Sequence, residues 1–427
     1  MLVLEFKVRA KKHQYTAIDE ALRTAQFVQN KCLRFWMDNE NANKYDLNKY
    51  CRVLAHDFDF ANKLNSQARQ SSAERAWSAI SRFYDNCKKK IPGRKRRDPA
   101  PPKGAPGSSA RKGFPQFKKN CRSVEYKNTG WKLDLTTRKA ITFTDKNNIG
   151  RVKLVGTYDL NFYPIESIKR VRLIRRADGY YCQFILSVDV KVDTEPANSV
   201  IGLDVGLESF YTDQKGHKIS NPRFLRKGEA KLKRLQRRLS RKKKGSSNRK
   251  KARQRLAKAH LKISRQRKDF AVKLARCVIH SRDVIVYEDL RIKNLVKNHC
   301  LAKSINDAAW YQFRGWLEYL GEKHGKITIA VPPQYTSQNC SNCGKKVKKS
   351  LSTRTHVCAC GCQLDRDENA ARNILKLGLS TAGHSGTWLQ DSLNALGEDT
   401  ATFSGEILSE QVTSVNKESP VTATRGA

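Results

Sequence analysis

The sequence predicts an α+β protein of several domains. An N-terminal β-barrel takes a helical bundle as an insert, and an α/β domain follows that carries a basic helical hairpin and a cysteine ribbon. Three observations carry this prediction. Strand-like alternation occurs both before and after a helical block in the first 195 residues. Apolar strand runs then alternate with helical runs from residue 196 onward. Between Arg226 and Lys268, 21 of 43 residues are Lys or Arg, yet Leu232, Leu235 and Leu239 keep helical spacing.

Charge narrows the function classes. The 427 residues hold 84 Lys and Arg against 40 Asp and Glu, a net charge of +44. Such a chain repels itself until a polyanion neutralises it, and nucleic acid is the polyanion that releases counterions on binding. A membrane partner is not expected, because no apolar run is long enough to span a bilayer. "MLVLEFKVRAKK" has charges within its apolar stretch and makes a poor signal peptide. The expectation is a cytoplasmic protein in a reducing compartment. In that reducing setting the twelve cysteines favour metal binding or burial over disulfides.

"LVLEFKVRA" alternates and reads as the first strand. Thr16, with Asp19 three residues on, is the expected N-cap of a first helix bearing Ile18, Leu22, Ala25, Cys32 and Trp36. A second helix is expected from Leu47 to Leu64. A third carries Ala73, Ala76, Trp77, Ile80, Phe83, Tyr84 and Cys87 on one face. These aromatics are read as helix-packing residues rather than base-stacking ones. Residues 91–113 are rich in Pro, Gly, Ser and basic residues and read as a linker. The barrel is assigned to residues 1–13 and 114–195, and the helical block to 14–90. A hairpin turns at Ala177-Asp178-Gly179.

"SVIGLDVGLESFYTD" reads as two successive strands. The hairpin of residues 226–268 divides at "GSSN", and its second helix continues through "DFAVKLARCVIHS". Strands in "DVIVYEDL" and "KITIAVPP" flank a helix in "WYQFRGWLEYLGEKHG". "ENAARNILKLG" reads as a last helix stopped by Gly378. The α/β domain is assigned to 196–335 and 363–378, the ribbon to 336–362. Residues 379–427 read as a disordered tail, with a short helix in "TWLQDSLNAL". No internal repeat is visible.

Two constellations carry chemistry. Asp204 lies inside an apolar strand, where an unpaired carboxylate is costly. Glu288 ends a later strand and shares a face with Val284 and Val286, whereas Asp289 points the other way. Asp367 begins the last helix, with Asp365 as its competitor or as an N-cap. An acid on the first strand, one on a later strand and one on the last helix is the order found in ribonuclease-H-like nucleases. Hard oxygen ligands suit Mg²⁺, and two such ions about 4 Å apart can activate water and stabilise a leaving oxygen. The second constellation is five cysteines. Cys340 and Cys343 form one knuckle, Cys358 and Cys360 the second, and together they suit a structural zinc ion. Cys362 competes with Cys360 for the fourth place. Arg237, Arg238, Arg241 and Lys242 of the basic hairpin are candidate phosphate contacts, which give affinity without sequence specificity.

"GLDVG", "YEDL", the paired cysteines and "DRDENAARN", in this order, resemble the TnpB family of transposon-encoded proteins related to type V CRISPR effectors. The resemblance covers nearly the whole chain up to Gly378. It implies an RNA-guided DNA endonuclease with a wedge barrel, a helical recognition domain, a RuvC-like nuclease domain and a zinc ribbon. Its guide is an RNA from the transposon locus, and its target is double-stranded DNA recognised beside a short adjacent motif. By the same resemblance Asp204, Glu288 and Asp367 match the Mg²⁺-binding catalytic triad, and Cys340, Cys343, Cys358 and Cys360 the zinc ligands. Arg354 matches a basic residue near the scissile strand. The shortened "CACGC" departs from the family pattern. A non-cleaving nucleic-acid-binding regulator and a strand-transfer transposase are the alternatives on the same scaffold.

Overall fold

The computed structural model describes residues 2–89, 113–188, 191–192, 194–350 and 353–382. The linker expected at 91–113, apart from Gly113, and the tail beyond 382 lie outside these residues. The chain divides into two compact units, Met1–Asp189 and Val190–Ala427.

The first unit opens with β1 (Leu2–Arg9), whose Leu4, Phe6 and Val8 are buried on one face. Four helices follow: α1 (Lys12–Asp38), α2 (Lys44–Asp57), α3 (Asp59–Lys63) and α4 (Ser66–Lys88). Val28 and Cys32 of α1, Leu47, Cys51 and Leu54 of α2, and Ala73, Ala76 and Ile80 of α4 form their shared core. The expected cap at Thr16 is corrected. Gln14 Oε1 accepts the Lys11 amide at 2.9 Å, so α1 starts a turn earlier. Thr16 then sits inside the helix and donates back to Lys12 O. The expected single helix from Leu47 to Leu64 is two helices. Phe58 takes an extended backbone between them, its ring packed edge-on against Phe27 at 5.0 Å.

Six further strands complete a sheet: β2 (Ser123–Tyr126), β3 (Trp131–Leu133), β4 (Ala140–Phe143), β5 (Gly150–Val155), β6 (Ile168–Arg176) and β7 (Gly179–Leu186). Its order is β2-β6-β7-β1-β5-β4-β3, antiparallel throughout. The expected hairpin is β6–β7, with Arg176 opposite Gly179 across a two-residue turn. The expected closed barrel is not what forms: no described ladder joins edge strand β2 to edge strand β3. The sheet nevertheless curls. β2 and β3 are neighbours in sequence, and the link from Tyr126 to Trp131 spans at most about 18 Å. The Tyr126 and Phe143 rings lie 4.8 Å apart across that gap. Between these edge strands side-chain packing, rather than a described ladder, covers the core.

In the second unit, β8 (Val200–Val205), β9 (Ser209–Asp213) and β10 (Lys218–Ser220) come first. The basic hairpin follows as α5 (Phe224–Ser240) and α6 (Ser247–Ser281). Next are β11 (Val284–Glu288), α7 (Ile292–Leu295), α8 (His299–Ala308), α9 (Trp310–Lys323) and β12 (Ile327–Val331). The chain ends in the small β13 (Thr355–Val357), β14 (Gln363–Asp365) ladder and α10 (Arg366–Ala382). β10, α7 and α8 were not anticipated; each is short, of three, four and ten residues.

The sheet order is β10-β9-β8-β11-β12. β8, β11 and β12 are parallel, and β9 and β10 extend them antiparallel. Both faces of the parallel strands are covered, as such strands require. Ile201, Leu203, Ile285 and Tyr287 face α6 and α9. Val200, Val284 and Val286 face Ile374, Leu375 and Leu379 of α10. α10 comes so close that a Cβ on Gly202 would lie 2.4 Å from Ala371 O, and one on Gly378 2.4 Å from Val286 Cγ1. Gly378 is therefore not the expected helix stop: the helix runs past it, and its missing side chain admits the strand.

The basic hairpin zips along Leu232, Leu256 and Ile263. Its base is held by buried Asp307, which accepts from the Leu225 and Arg226 amides and from Arg267. At its tip Ser246 caps α6, and Arg249 donates to Leu239 O and Lys242 O. Among the described residues no helix is long and apolar enough to cross a membrane.

Candidate active site and metal centre

Strand period places two acids together. Asp204 follows Val200 and Gly202 on the α10 side of β8, and Glu288 follows Val284 and Val286 on the same side of β11. The parallel register pairs Leu203 with Tyr287, so the next step sets Asp204 beside Glu288 at the carboxyl ends of adjacent strands. Ligand sites of open α/β sheets gather at that end. Asp367 enters from the first turn of α10, which covers this face.

The proximity has an electrostatic consequence. Burial pushes the Asp204 carboxyl well above its ordinary value, and the charges of Glu288 and Asp367 push it further. Burial also raises Glu288, partly offset by the Thr336 hydroxyl, which donates to Glu288 Oε1 at 2.5 Å. Three crowded acids are the donor set a hard divalent ion would stabilise.

The competing acids have other work. Asp289 is exposed and pairs with Arg314. Asp365 Oδ1 accepts from the Asp367 amide at 2.9 Å and the Glu368 amide at 3.4 Å, capping α10, while Oδ2 takes Lys218 Nζ at 2.8 Å. Arg354 lies at the rim. Its guanidinium meets Glu208 at 2.8 Å and approaches Asp367 Oδ2 at 4.0 Å. A cleft of about 580 Å³ opens there, bordered by Glu208, Asn221, Arg223, Arg226 and Arg354.

The cysteines form a separate centre. Cys340 and Cys360 sulfurs are 3.7 Å apart, Cys343 and Cys358 sulfurs 3.6 Å, and all four lie within 4.8 Å of one another. A tetrahedron with Zn–S bonds of about 2.3 Å has edges of about 3.8 Å, so the donors fit a structural zinc ion. Gly344 and Gly361 each follow a knuckle at left-handed φ of 76° and 84°, a conformation that favours glycine. Cys362 lies outside the tetrad, grouped with Cys340 and His356. Lys349 Nζ, which can only donate, faces His356 Nδ1. The other ring nitrogen, Nε2, is buried, and the ring has a nitrogen within 4.8 Å of the Cys340 and Cys362 sulfurs. Burial disfavours the Cys340 thiolate, but the Cys343 amide, His356 and the Asn342 amide outweigh it and hold the thiol at about 5.

Sequence reasoning missed three residues here. Thr336 is one. The others are Asn369 and Asn373, buried one turn apart on α10. Asn369 donates to Asn339 O at 2.8 Å and accepts from the Ser341 amide at 2.9 Å, straddling Cys340. Asn373 donates to Asn339 O and Thr336 O. Two asparagines four apart among Ala370, Ala371, Ile374 and Leu375 were the available signal, since Asn weakens a helix interior unless something requires it. Arg237, Arg238, Arg241 and Lys242 stand exposed around the end of α5, away from the leucine seam.

A family model described as "Probable transposase" (OrfB_IS605) matches residues 183–299, and one for the Cas12f1-like TNB domain matches residues 310–374. A "Putative RNA-guided DNA endonuclease" of Streptomyces pristinaespiralis is 38% identical over 214 residues, 50% of this chain and 53% of that protein. The chain thus spans about half the length of that relative. The similarly described InsQ of Escherichia coli K12 is 29% identical over 290 residues, 63% of this chain and 69% of that protein. Among solved structures, a chain of the Cas12f1-sgRNA-target DNA complex aligns at TM-score 0.49 and 14% identity, covering 85% of this chain and 83% of that one. The family matches run through the parallel sheet, the cysteine tetrad and the helix bearing Asp367, and over these residues the chain is similar to the OrfB_IS605 and Cas12f1-like TNB families.

Proposed function

We propose that this protein is an RNA-guided DNA endonuclease whose phosphodiester cleavage is carried by Asp204, Glu288 and Asp367. The observation that carries the reading is the convergence of these acids from β8, β11 and α10, with Asp204 driven toward its protonated form by burial and by its two neighbours. Divalent magnesium, bound there as two ions, would activate water and stabilise the leaving oxygen. The protein's own part is positional. Two acids sit on rigid strands and the third on a helix packed against them, so their spacing is set before substrate arrives. The cysteine tetrad holds the segment between β12 and α10 in place with a zinc ion. Arg354 and the cleft beside it are suited to a phosphate backbone, and the exposed cations of α5 to guide or heteroduplex backbone. The helical residues 14–90 and the curled sheet of the first unit serve guide and target binding in this reading.

The names of the two relatives agree with it. The test is to load the protein with the transcript of its own locus and offer a plasmid carrying a guide-matched target. Cleavage that needs both the RNA and Mg²⁺ is expected. Binding of the plasmid without cleavage across a library of adjacent motifs would favour a regulator, and joined rather than cut DNA ends would favour strand transfer.

A further inference from the structure

Glu288 is oriented from outside the acid cluster. Its Oε1 takes the Thr336 hydroxyl at 2.5 Å, and Thr336 is only 4% exposed, so no solvent competes for that bond. The segment bearing Thr336 is itself held. Asn373 Nδ2 donates to Thr336 O at 2.8 Å and to Asn339 O at 2.7 Å. Asn369 fastens the same segment on either side of Cys340. Both asparagines stand on α10, the helix that presents Asp367. The 336–341 segment therefore touches Glu288 at one end and the cysteine tetrad at the other.

Resting on the endonuclease reading, we propose that Thr336 is a positioning residue for metal binding. Its hydroxyl fixes Glu288 Oε1 and leaves Oε2 as the ligating oxygen. A glutamate ends in a broad, soft torsion. Beside two other acids, an untethered carboxylate would swing away from them to relieve repulsion. A buried donor on one oxygen removes that freedom and selects one rotamer before the ion arrives. Hydrogen-bond partners behind metal ligands characteristically control affinity by about 10- to 100-fold.

The test uses the full chain with its zinc retained and Mn²⁺ as the probe, followed by electron paramagnetic resonance of the free ion. Thr336→Val keeps the shape and removes the hydroxyl. It is expected to weaken Mn²⁺ binding about tenfold or more, whereas Thr336→Ser restores the wild-type affinity. Zinc content should be unchanged in both, which separates orientation of Glu288 from loss of the ribbon. Should Thr336→Val not fold, Thr336→Ala takes its place with the same expected loss and the same rescue by serine. Wild-type affinity in the variant lacking the hydroxyl would overturn the proposal. A wild-type protein that takes up no Mn²⁺ would overturn the endonuclease reading, and this inference with it, in the control arm alone.

Discussion

Gly202→Ala places a methyl group between the strand that carries Asp204 and the helix that carries Asp367. The new Cβ would meet Ala371 O at 2.4 Å, Leu375 Cβ at 2.8 Å and Leu375 N at 3.0 Å. Two of these atoms are helix backbone, so no rotamer change relieves the contact. Ordinary contact begins near 3.4 Å, and α10 must back away by about 1 Å or tilt. Overpacking of this kind costs about 1–3 kcal/mol. A displacement of about 1 Å between reacting groups can cost about a hundredfold in rate. For Gly378→Ala, on the same helix, the three nearest atoms all belong to the Val286 side chain rather than to backbone, and the change should cost less. The assay is single-turnover cleavage of a guide-matched plasmid by RNA-loaded protein, with thermal stability and zinc content measured alongside. The expectation is a rate loss of about two orders of magnitude in protein that still binds guide and zinc. A Gly202→Ala variant with wild-type melting temperature and rate would refute the idea that this contact sets the spacing of the acids.

Cys340→Ser should lose the zinc, about one ion per chain, while Cys362→Ser should keep it. Metal analysis decides, and zinc loss on Cys362→Ser would move the fourth ligand. Changing Arg237, Arg238, Arg241 and Lys242 together to Ala should reduce the salt slope of RNA binding by about three, and an unchanged slope would mean that these cations touch no phosphate. Asp204→Asn should raise metal-free thermal stability at neutral pH. The Asp204 pKa is raised above 3.8 by folding, so the stability it lends is fully present below that value and is lost as pH rises through the folded one. The gain from Asn should therefore shrink toward pH 4, and an equal gain at both pH values would show that charge is not its cause.

Much of the second unit was legible because chemistry and period coincide there. The period-2 argument that put Glu288 with Val284 and Val286 also fixes which face of β11 meets α10. The cysteine knuckles were legible from the matched glycines that follow them. Other features were hidden because they depend on groups distant in sequence. Gly378 looked like a stop signal, and only the Val286 side chain explains it. Asn369 and Asn373 looked like ordinary residues of a helix, and their partners are the backbone of residues 336–341. Thr16 fitted a cap pattern, but Gln14 three residues past Lys11 competed for the helix start and won. The barrel expectation rested on strands before and after the helical insert, and nothing in their local pattern shows that no described ladder joins β2 to β3.

The central claim is that three acids, and no others nearby, carry DNA cleavage. The direct measurement is Mg²⁺-dependent cleavage of a guide-matched plasmid by Asp204→Ala, Glu288→Ala and Asp367→Ala, singly and together. Each single variant should abolish cutting while retaining guide and target binding, and the triple variant should be no worse than the singles, because residues that act as a unit do not contribute additively. Asp289→Ala and Asp365→Asn should cut, the first because Asp289 is occupied by Arg314, the second because Asn caps a helix as well as Asp. Robust cleavage by any of the three single variants, or a dead Asp365→Asn beside an active Asp367→Ala, would contradict the account.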